Sequence, residues 1–190
     1  MILIIDNYDS FTYNLVQYVG TITNDIKIIK NNEMSIGKIK KIDISHIIIS
    51  PGPGGPKETG ICLEVIKEIS PTIPTLGICL GHQAIAYNYD GNIVNSKHIM
   101  HGKTSTIKHN NESKLFQNIP KKFSATRYHS LCVDRTFKHE NINITSWSND
   151  GEIMSLEHEK YPIYGIQFHP EAILTEHGIK IIKNFTKIIV

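Results

Sequence analysis

The sequence predicts an α/β fold: an open, mostly parallel, twisted sheet with helices on both faces and an antiparallel extension at one edge. Three observations carry this. Short runs that are apolar at every position, such as residues 2–5 and 47–49, suit strands buried on both faces. These runs alternate with amphipathic stretches, the strand–loop–helix rhythm of a parallel sheet covered by helices. From Gly91 to about Trp147 the chain becomes richer in Lys, Asn, Thr and His, with short alternating segments that read as antiparallel edge strands.

Residues 2–5 are the first expected strand, ended by the polar loop Asp6-Asn7-Tyr8-Asp9-Ser10. Asp9 or Ser10 is placed to cap a helix carrying Leu15, Val16 and Val19, and Gly20 to stop it. A second strand is expected at 26–29, a short helical stretch at 35–41, and a third strand at 46–50, halted by Pro51-Gly-Pro-Gly-Gly-Pro56. Residues 59–69 read as a helix with Leu63, Ile66 and Ile69 at helical spacing. A strand at 73–78 leads after one residue into a helix at 80–87. Segments 104–108 and 142–147 alternate, 153–156 and 163–168 suggest a hairpin, and 175–189 a closing helix. With no repeat or linker, one domain over residues 1–190 is expected.

Composition excludes several function classes. Twenty Lys and Arg against 18 Asp and Glu give a net charge of only +2, which argues against a nucleic-acid binder and its strongly basic face. No run approaches the roughly 18 apolar residues of a membrane helix. The opening Met1-Ile-Leu-Ile-Ile reaches Asp6 without a basic region, so neither a secretory signal nor a transit peptide is expected. Cys62, Cys79 and Cys132 show no CxxC spacing, so neither a disulfide framework nor a metal site is expected. The 35 Ile and 18 Lys, against 4 Ala and 2 Arg, read as the coding bias of an AT-rich genome. That favours a plastid-encoded or bacterial gene, and a product in the plastid stroma or otherwise the cytoplasm.

Ligands of open parallel sheets bind at the carboxyl ends of the strands, and three expected strands end there in unusual residues. Gly77-Ile78-Cys79-Leu80-Gly81 has the form of a nucleophile elbow with Cys in place of Ser, its glycines leaving room around a tight turn. A thiol at a helix N-terminus meets the positive end of the dipole, which favours the thiolate. The alternative is that Cys79 is a small buried apolar residue. His169 follows an apolar strand and precedes Pro170 and Glu171; residues two apart in extended chain share a side, so a carboxylate there would orient the imidazole. A surface His-Pro-Glu turn is the competing reading. His46, His109, His139 and His158 are expected to be solvated. The loop Pro51 to Pro56 is either a plain turn or a presenter of backbone N–H groups to an oxyanion; a phosphate loop is disfavoured because no G-K-[ST] follows.

Taken in order, these pieces resemble a class I, triad-type glutamine amidotransferase, essentially end to end. The resemblance rests on Asp6-Asn-Tyr-Asp-Ser-Phe-Thr-Tyr-Asn14, Ser50-Pro-Gly-Pro-Gly54, Gly77-Ile-Cys-Leu-Gly-His-Gln83, His101-Gly-Lys-Thr-Ser105, Thr126-Arg-Tyr-His-Ser-Leu131 and Gln167-Phe-His-Pro-Glu171. The first, fourth and fifth are most similar to the small subunit of anthranilate synthase and its relative in 4-amino-4-deoxychorismate synthase. The resemblance implies that Cys79 attacks the side-chain amide of L-glutamine, that His169 carries the proton to ammonia and that Glu171 orients His169. It implies an oxyanion hole at the N–H groups of Gly52 and Leu80. Glutamine would lie along Gly52, Pro53 and Gly54, with Gln83, Ser130 and Leu131 at its amino-acid end. It further implies no cofactor in this chain, and a larger chorismate-binding synthase partner that carries Mg²⁺ and receives the ammonia. The segments 7–11 and 101–105 are the expected contact surface, or else an ordinary helix cap and turn. Two departures stand out: Tyr87-Asn-Tyr-Asp-Gly-Asn92 replaces a Gly-Gly turn usual after the elbow helix, and Ala172 replaces a usual Ser.

Overall fold

The first strand, β1 (Ile2–Asp6), is buried at every position. Ile2 and Ile4 join the core on one face of the sheet, and Leu3 and Ile5 the core on the other. A run without polar residues is thus what a strand at the centre of a three-layer molecule requires. The computed structural model describes residues 1–190. Parallel neighbours β2 (Ile26–Lys30) and β3 (His46–Ile49) flank β1; β3 pairs with β4 (Thr75–Ile78), and β4 with β11 (Ile163–Ile166), all parallel. Against β11 the sheet turns antiparallel through β10 (Ile153–His158), β9 (Ile142–Ser148), β6 (Lys103–His109) and β7 (Lys122–Arg127). The expected edge extension and the 153–168 hairpin are both present. A separate two-stranded ribbon, β5 (Ile93–Asn95) with β8 (Leu131–Val133), was not expected from the sequence.

Helices α1 (Thr12–Gly20) and α5 (Gly178–Phe185) cover one face through Leu15, Val19, Ile181, Ile182 and Phe185. On the other, α3 (Cys62–Glu68) and α4 (Leu80–Asn88) contribute Val65, Ile66, Ala84 and Ile85. Each such aliphatic side chain contributes roughly 1.5–3 kcal/mol on burial. The short α2 (Ile36–Ile39) packs Ile39 beneath the same face.

Several expected boundaries shift, for local reasons. The N-cap of α1 is Phe11, with no side-chain cap; Asp9 instead accepts the Phe11 N–H at 2.8 Å. Gly20 is the last helical residue and not a stop beyond it, since Thr21 stays right-handed. The expected 59–69 helix starts at Cys62, after a 3₁₀ turn at Pro56–Glu58. The closing helix starts at Gly178 and not at 175, because Thr175 is spent bracing the chain after β11: its hydroxyl donates to the His169 carbonyl at 2.6 Å. Where the Gly-Gly turn is missing after α4, Asp90 takes the left-handed conformation (φ 61°) itself. The histidines expected in solvent are a further correction. His46, His109 and His158 are buried, His46 bonding the Ile188 carbonyl and His109 stacking on Phe116 while bonding the Pro120 carbonyl; His139 is half-buried. The His46 and His109 rings fill core volume while one nitrogen finds a carbonyl, and His158 Nδ1 accepts the Lys160 and Tyr161 N–H groups, each at 3.0 Å.

Candidate active site

The carboxyl ends of β1, β3, β4 and β11 converge on Cys79. This residue sits between β4 and α4 at φ 52° and ψ −99°, a strained conformation for a side chain with a Cβ, and its N–H is tied to the Ile166 carbonyl at 2.8 Å. The flanking glycines are sterically required. A Cβ on Gly81 would stand 2.6 Å from the Ile49 carbonyl oxygen, and one on Gly77 would strike the backbone of Gly81. The elbow thus packs helix against sheet closely enough to hold the sulfur at the first turn of α4. Cys79 itself is only 6% exposed.

His169 Nδ1 lies 2.6 Å from Glu171 Oε1, both buried. The histidine backbone is pinned from both sides. Its N–H donates to the Thr126 carbonyl at 3.0 Å and its carbonyl accepts from Thr175. Nε2 makes no hydrogen bond within the protein, and Cys79 is one of the two residues whose interaction raises the pKa of this ring. Burial alone would lower the pKa of this ring; its interactions with Cys79 and Glu171 outweigh burial and raise it well above 6.5. Cys79, His169 and Glu171, expected from separate motifs, are brought together. Tyr128 and Phe11 meet the imidazole edge-on, with centroids 5.1 and 6.4 Å from it, and His101 packs on Tyr128 at 5.9 Å.

The glycine loop after β3 reaches the same point. Gly52 is wedged between Asn7 and Leu80: a Cβ there would lie 2.6 Å from the Asn7 carbonyl oxygen and 3.1 Å from Leu80 Cδ2. Only glycine fits between these two residues, and it brings the loop into contact with Leu80, its partner in the expected oxyanion hole. Asn7 fastens the loop, donating Nδ2–H to the Ser50 carbonyl and its backbone N–H to Ser50 Oγ, each at 2.9 Å. Asn31 and Cys62 in turn donate to Asn7 Oδ1 at 2.9 and 3.5 Å. Gly54 is left-handed (φ 76°) and closes over the Glu58 carboxylate, which accepts the Gly55 N–H; Pro53 is exposed at the loop tip. Gln83 reaches across to donate to the Leu131 carbonyl at 2.9 Å, so the α4 and 130–131 parts of the expected glutamine site are in contact. The Ser130 carbonyl is held by Ser96 N–H at 2.8 Å. Leu131 also lines a hollow of about 360 Å³ that extends from Gly55 to Tyr87 and Asn92.

Sequence reasoning placed Asn7 only in a candidate contact segment and gave no role to Arg127, His129 or Gln167. Arg127 is fully buried against Glu152, donates Nη1–H to Ser105 Oγ at 3.1 Å and donates Nε–H to His129 Nε2 at 3.0 Å. Gln167 Nε2 lies 3.4 Å from Cys79 Sγ. For Gln167 a signal existed: it shares a side of the extended chain with His169 and Glu171. The other two thiols are plain core groups, burial pushing Cys62 up to about 12 and Cys132 to about 11.

A Cys–His–Glu arrangement at a strand-to-helix elbow, with a glycine loop beside it, has the make-up of a thiol-dependent amide hydrolase on an α/β sheet. The chain belongs to the class-I glutamine amidotransferases, whose family model matches residues 3–189. It is 52% identical to the anthranilate synthase component 2 of Porphyra purpurea, over 97% of this chain and 98% of that one. The aminodeoxychorismate/anthranilate synthase component 2 of Bacillus subtilis is 44% identical, covering 97% and 95%. The bifunctional protein TrpGD of Thermotoga maritima is 49% identical over 98% of this chain, which spans only 32% of that longer protein. The crystal structure of a putative GMP synthase component from Thermoplasma acidophilum shares the fold, with a TM-score of 0.85 at 24% identity over 97% of this chain and 91% of that one.

Proposed function

We propose that this chain is the glutaminase subunit of an anthranilate synthase. The buried Cys79–His169–Glu171 set carries the reading. Cys79 sulfur attacks the side-chain carbonyl carbon of L-glutamine, and the N–H groups of Gly52 and Leu80 hold the resulting oxyanion. His169, kept protonated by its two neighbours, gives its proton to the departing nitrogen, and ammonia leaves. The same ring then takes a proton from water as the hydroxyl attacks the glutamyl thioester; glutamate forms and the sulfur is freed. Gln83, the loop at Gly52, Pro53 and Gly54, and the backbone of Ser130 and Leu131 hold the amino-acid end of the substrate.

Ammonia is delivered to a larger partner that binds chorismate and Mg²⁺ and makes anthranilate. An apolar surface beside the triad supports a partner on this side: Phe11, Ile173 and Leu174 are 37%, 93% and 60% exposed around a hollow that Glu171 also lines. The 7–11 and 101–105 segments meet at Tyr128 on the same side. The Ile- and Lys-rich composition supports a plastid-encoded or bacterial gene, acting in the stroma or else the cytoplasm. A second reading, supply of ammonia for aminodeoxychorismate, is favoured by the dual name of the Bacillus subtilis relative. The test is to give glutamine and chorismate to the chain with each class of synthase partner and identify the product. Low glutaminase activity alone that rises with partner and chorismate is expected; no glutamate with any partner would overturn the reading.

A further inference from the structure

A hydrogen-bonded network links a buried arginine to the sulfur of Cys79 by way of the Leu131 carbonyl, and the direction of each bond is fixed by groups that can only donate or only accept. Arg127 Nε can only donate, so His129 Nε2, 3.0 Å away, must accept and the His129 proton must sit on Nδ1. Nδ1 therefore donates to the Leu131 carbonyl, at 2.9 Å. The side chain that meets the same carbonyl from α4 has to present a donor too, and Gln83 Nε2 does so. Its second N–H goes to Gln167 Oε1 at 3.0 Å. With its oxygen so occupied, Gln167 turns its own amide nitrogen to Cys79 Sγ. Every link is buried or half-buried, and Gln167 is fully buried. The orientation of both amides, otherwise ambiguous by a flip, follows from the Leu131 carbonyl, which can only accept.

We propose that Gln167 is a catalytic residue: it donates a hydrogen bond to the Cys79 sulfur, stabilising the thiolate before attack and again as it leaves the glutamyl thioester. This rests on Cys79 being the nucleophile. The sulfur then has two sources of stabilisation, the charge of the neighbouring His169 ring and the hydrogen bond of the Gln167 amide. A hydrogen bond to an ionised sulfur is stronger than one to the thiol, so its loss favours the thiol. A purely structural role, with Gln167 only holding Gln83 for substrate, makes a different prediction: glutamine binding weakens while the sulfur is unaffected.

The two are separated by measuring, without glutamine, the pH dependence of Cys79 alkylation by iodoacetamide, with the labelled peptide identified by mass spectrometry. In Gln167→Met the midpoint is expected to rise by about one to two pH units, with the neutral-pH rate at least tenfold lower; Gln167→Leu, of similar volume, serves if Met impairs folding. In the unsubstituted protein the Gln167 side-chain amide NMR signals should titrate with the same midpoint as alkylation. An unshifted midpoint in a folded variant, or amide signals that ignore the titration, overturns the proposal. If the unsubstituted chain shows no selective Cys79 alkylation and no glutaminase activity with partner, it is the functional reading itself that has failed.

Discussion

His169 and Glu171 face each other at 2.6 Å across Pro170, buried on a turn that Thr126 and Thr175 fasten to the end of β7. The carboxylate fixes which nitrogen carries the outward proton and helps hold the ring cationic. Glu171→Gln replaces that charge with an amide and should lower kcat by at least about 100-fold. It also removes one of the two interactions that raise the His169 pKa. A folded pKa above the unfolded value of 6.5 means that this proton stabilises the native state fully below about pH 6.5 and ceases to do so as pH rises through the folded value. The stability deficit of Glu171→Gln should therefore be largest at acid to neutral pH and shrink on the alkaline side, measured by urea denaturation from pH 6 to 10.

Removing the nucleophile should separate the two half-reactions. Cys79→Ala is expected to abolish glutamine-dependent product formation in the complex with a synthase partner, and to leave ammonia-dependent formation within about twofold of the unsubstituted complex. Parallel assays with glutamine and with ammonium chloride at pH 8.5 check this. Loss of both activities would point to a failure of assembly and not of chemistry.

The elbow residues were legible in the sequence because their chemistry is local. Gly77, Cys79 and Gly81 lie within five residues, and the strand before and helix after them follow from apolar spacing. The central parallel strands were legible for the same reason: Ile2 to Ile5 and Ile47 to Ile49 leave no position for water. What stayed hidden depends on distant pairings. Nothing local says that Arg127 neutralises Glu152, 25 residues away, or that Gln83 and Gln167 meet across 84 residues. Helix ends failed where tertiary bonds took the capping residues, as with Thr175. The buried histidines failed because polar flanks in the sequence conceal a partner carbonyl such as that of Ile188, 142 residues from His46.

Gly52 offers a test of the oxyanion loop. A methyl group there cannot fit between Asn7 and Leu80 without displacing one of them. Gly52→Ala should cut kcat with glutamine by about 100- to 1,000-fold, the cost of losing one oxyanion donor, while Cys79 alkylation by iodoacetamide, which needs no such donor, stays near the unsubstituted rate. Comparable losses in both assays would mean that the loop positions the sulfur as well.

Two fully or nearly buried histidines set the acid side of the stability curve. Burial lowers the pKa of His82 to about 3, and burial together with the nearby Arg127 charge does the same for His129. Between pH 6.5 and 3 the unfolded chain takes up these protons and the folded chain does not, so stability is complete above about pH 6.5 and falls as pH drops. Each ring steepens that fall by up to about 1.4 kcal/mol per pH unit. His129→Gln should flatten the dependence between pH 6 and 4, whatever it costs at neutral pH.

Loss of Arg127 should act on stability and substrate binding together. The side chain is buried with Glu152 and gives its remaining donors to Ser105, to His129 and, at 3.4 Å, to Asp150. Arg127→Met leaves a buried carboxylate without its principal counter-charge, for which about 3–5 kcal/mol of destabilisation is expected. It also frees His129, one of the two donors that fix the Leu131 carbonyl. The KM for glutamine should therefore rise more than kcat falls, because the group released is on the substrate's amino-acid side and not at the sulfur. The double change Arg127→Met with Glu152→Met removes both charges, and part of the lost stability should return. The KM should remain raised, since no donor has been restored to His129. Urea midpoints and glutaminase kinetics on the single and double variants, in complex with the partner, measure the two effects separately. Recovery of KM together with stability would show that the arginine acts on the substrate site only through the fold.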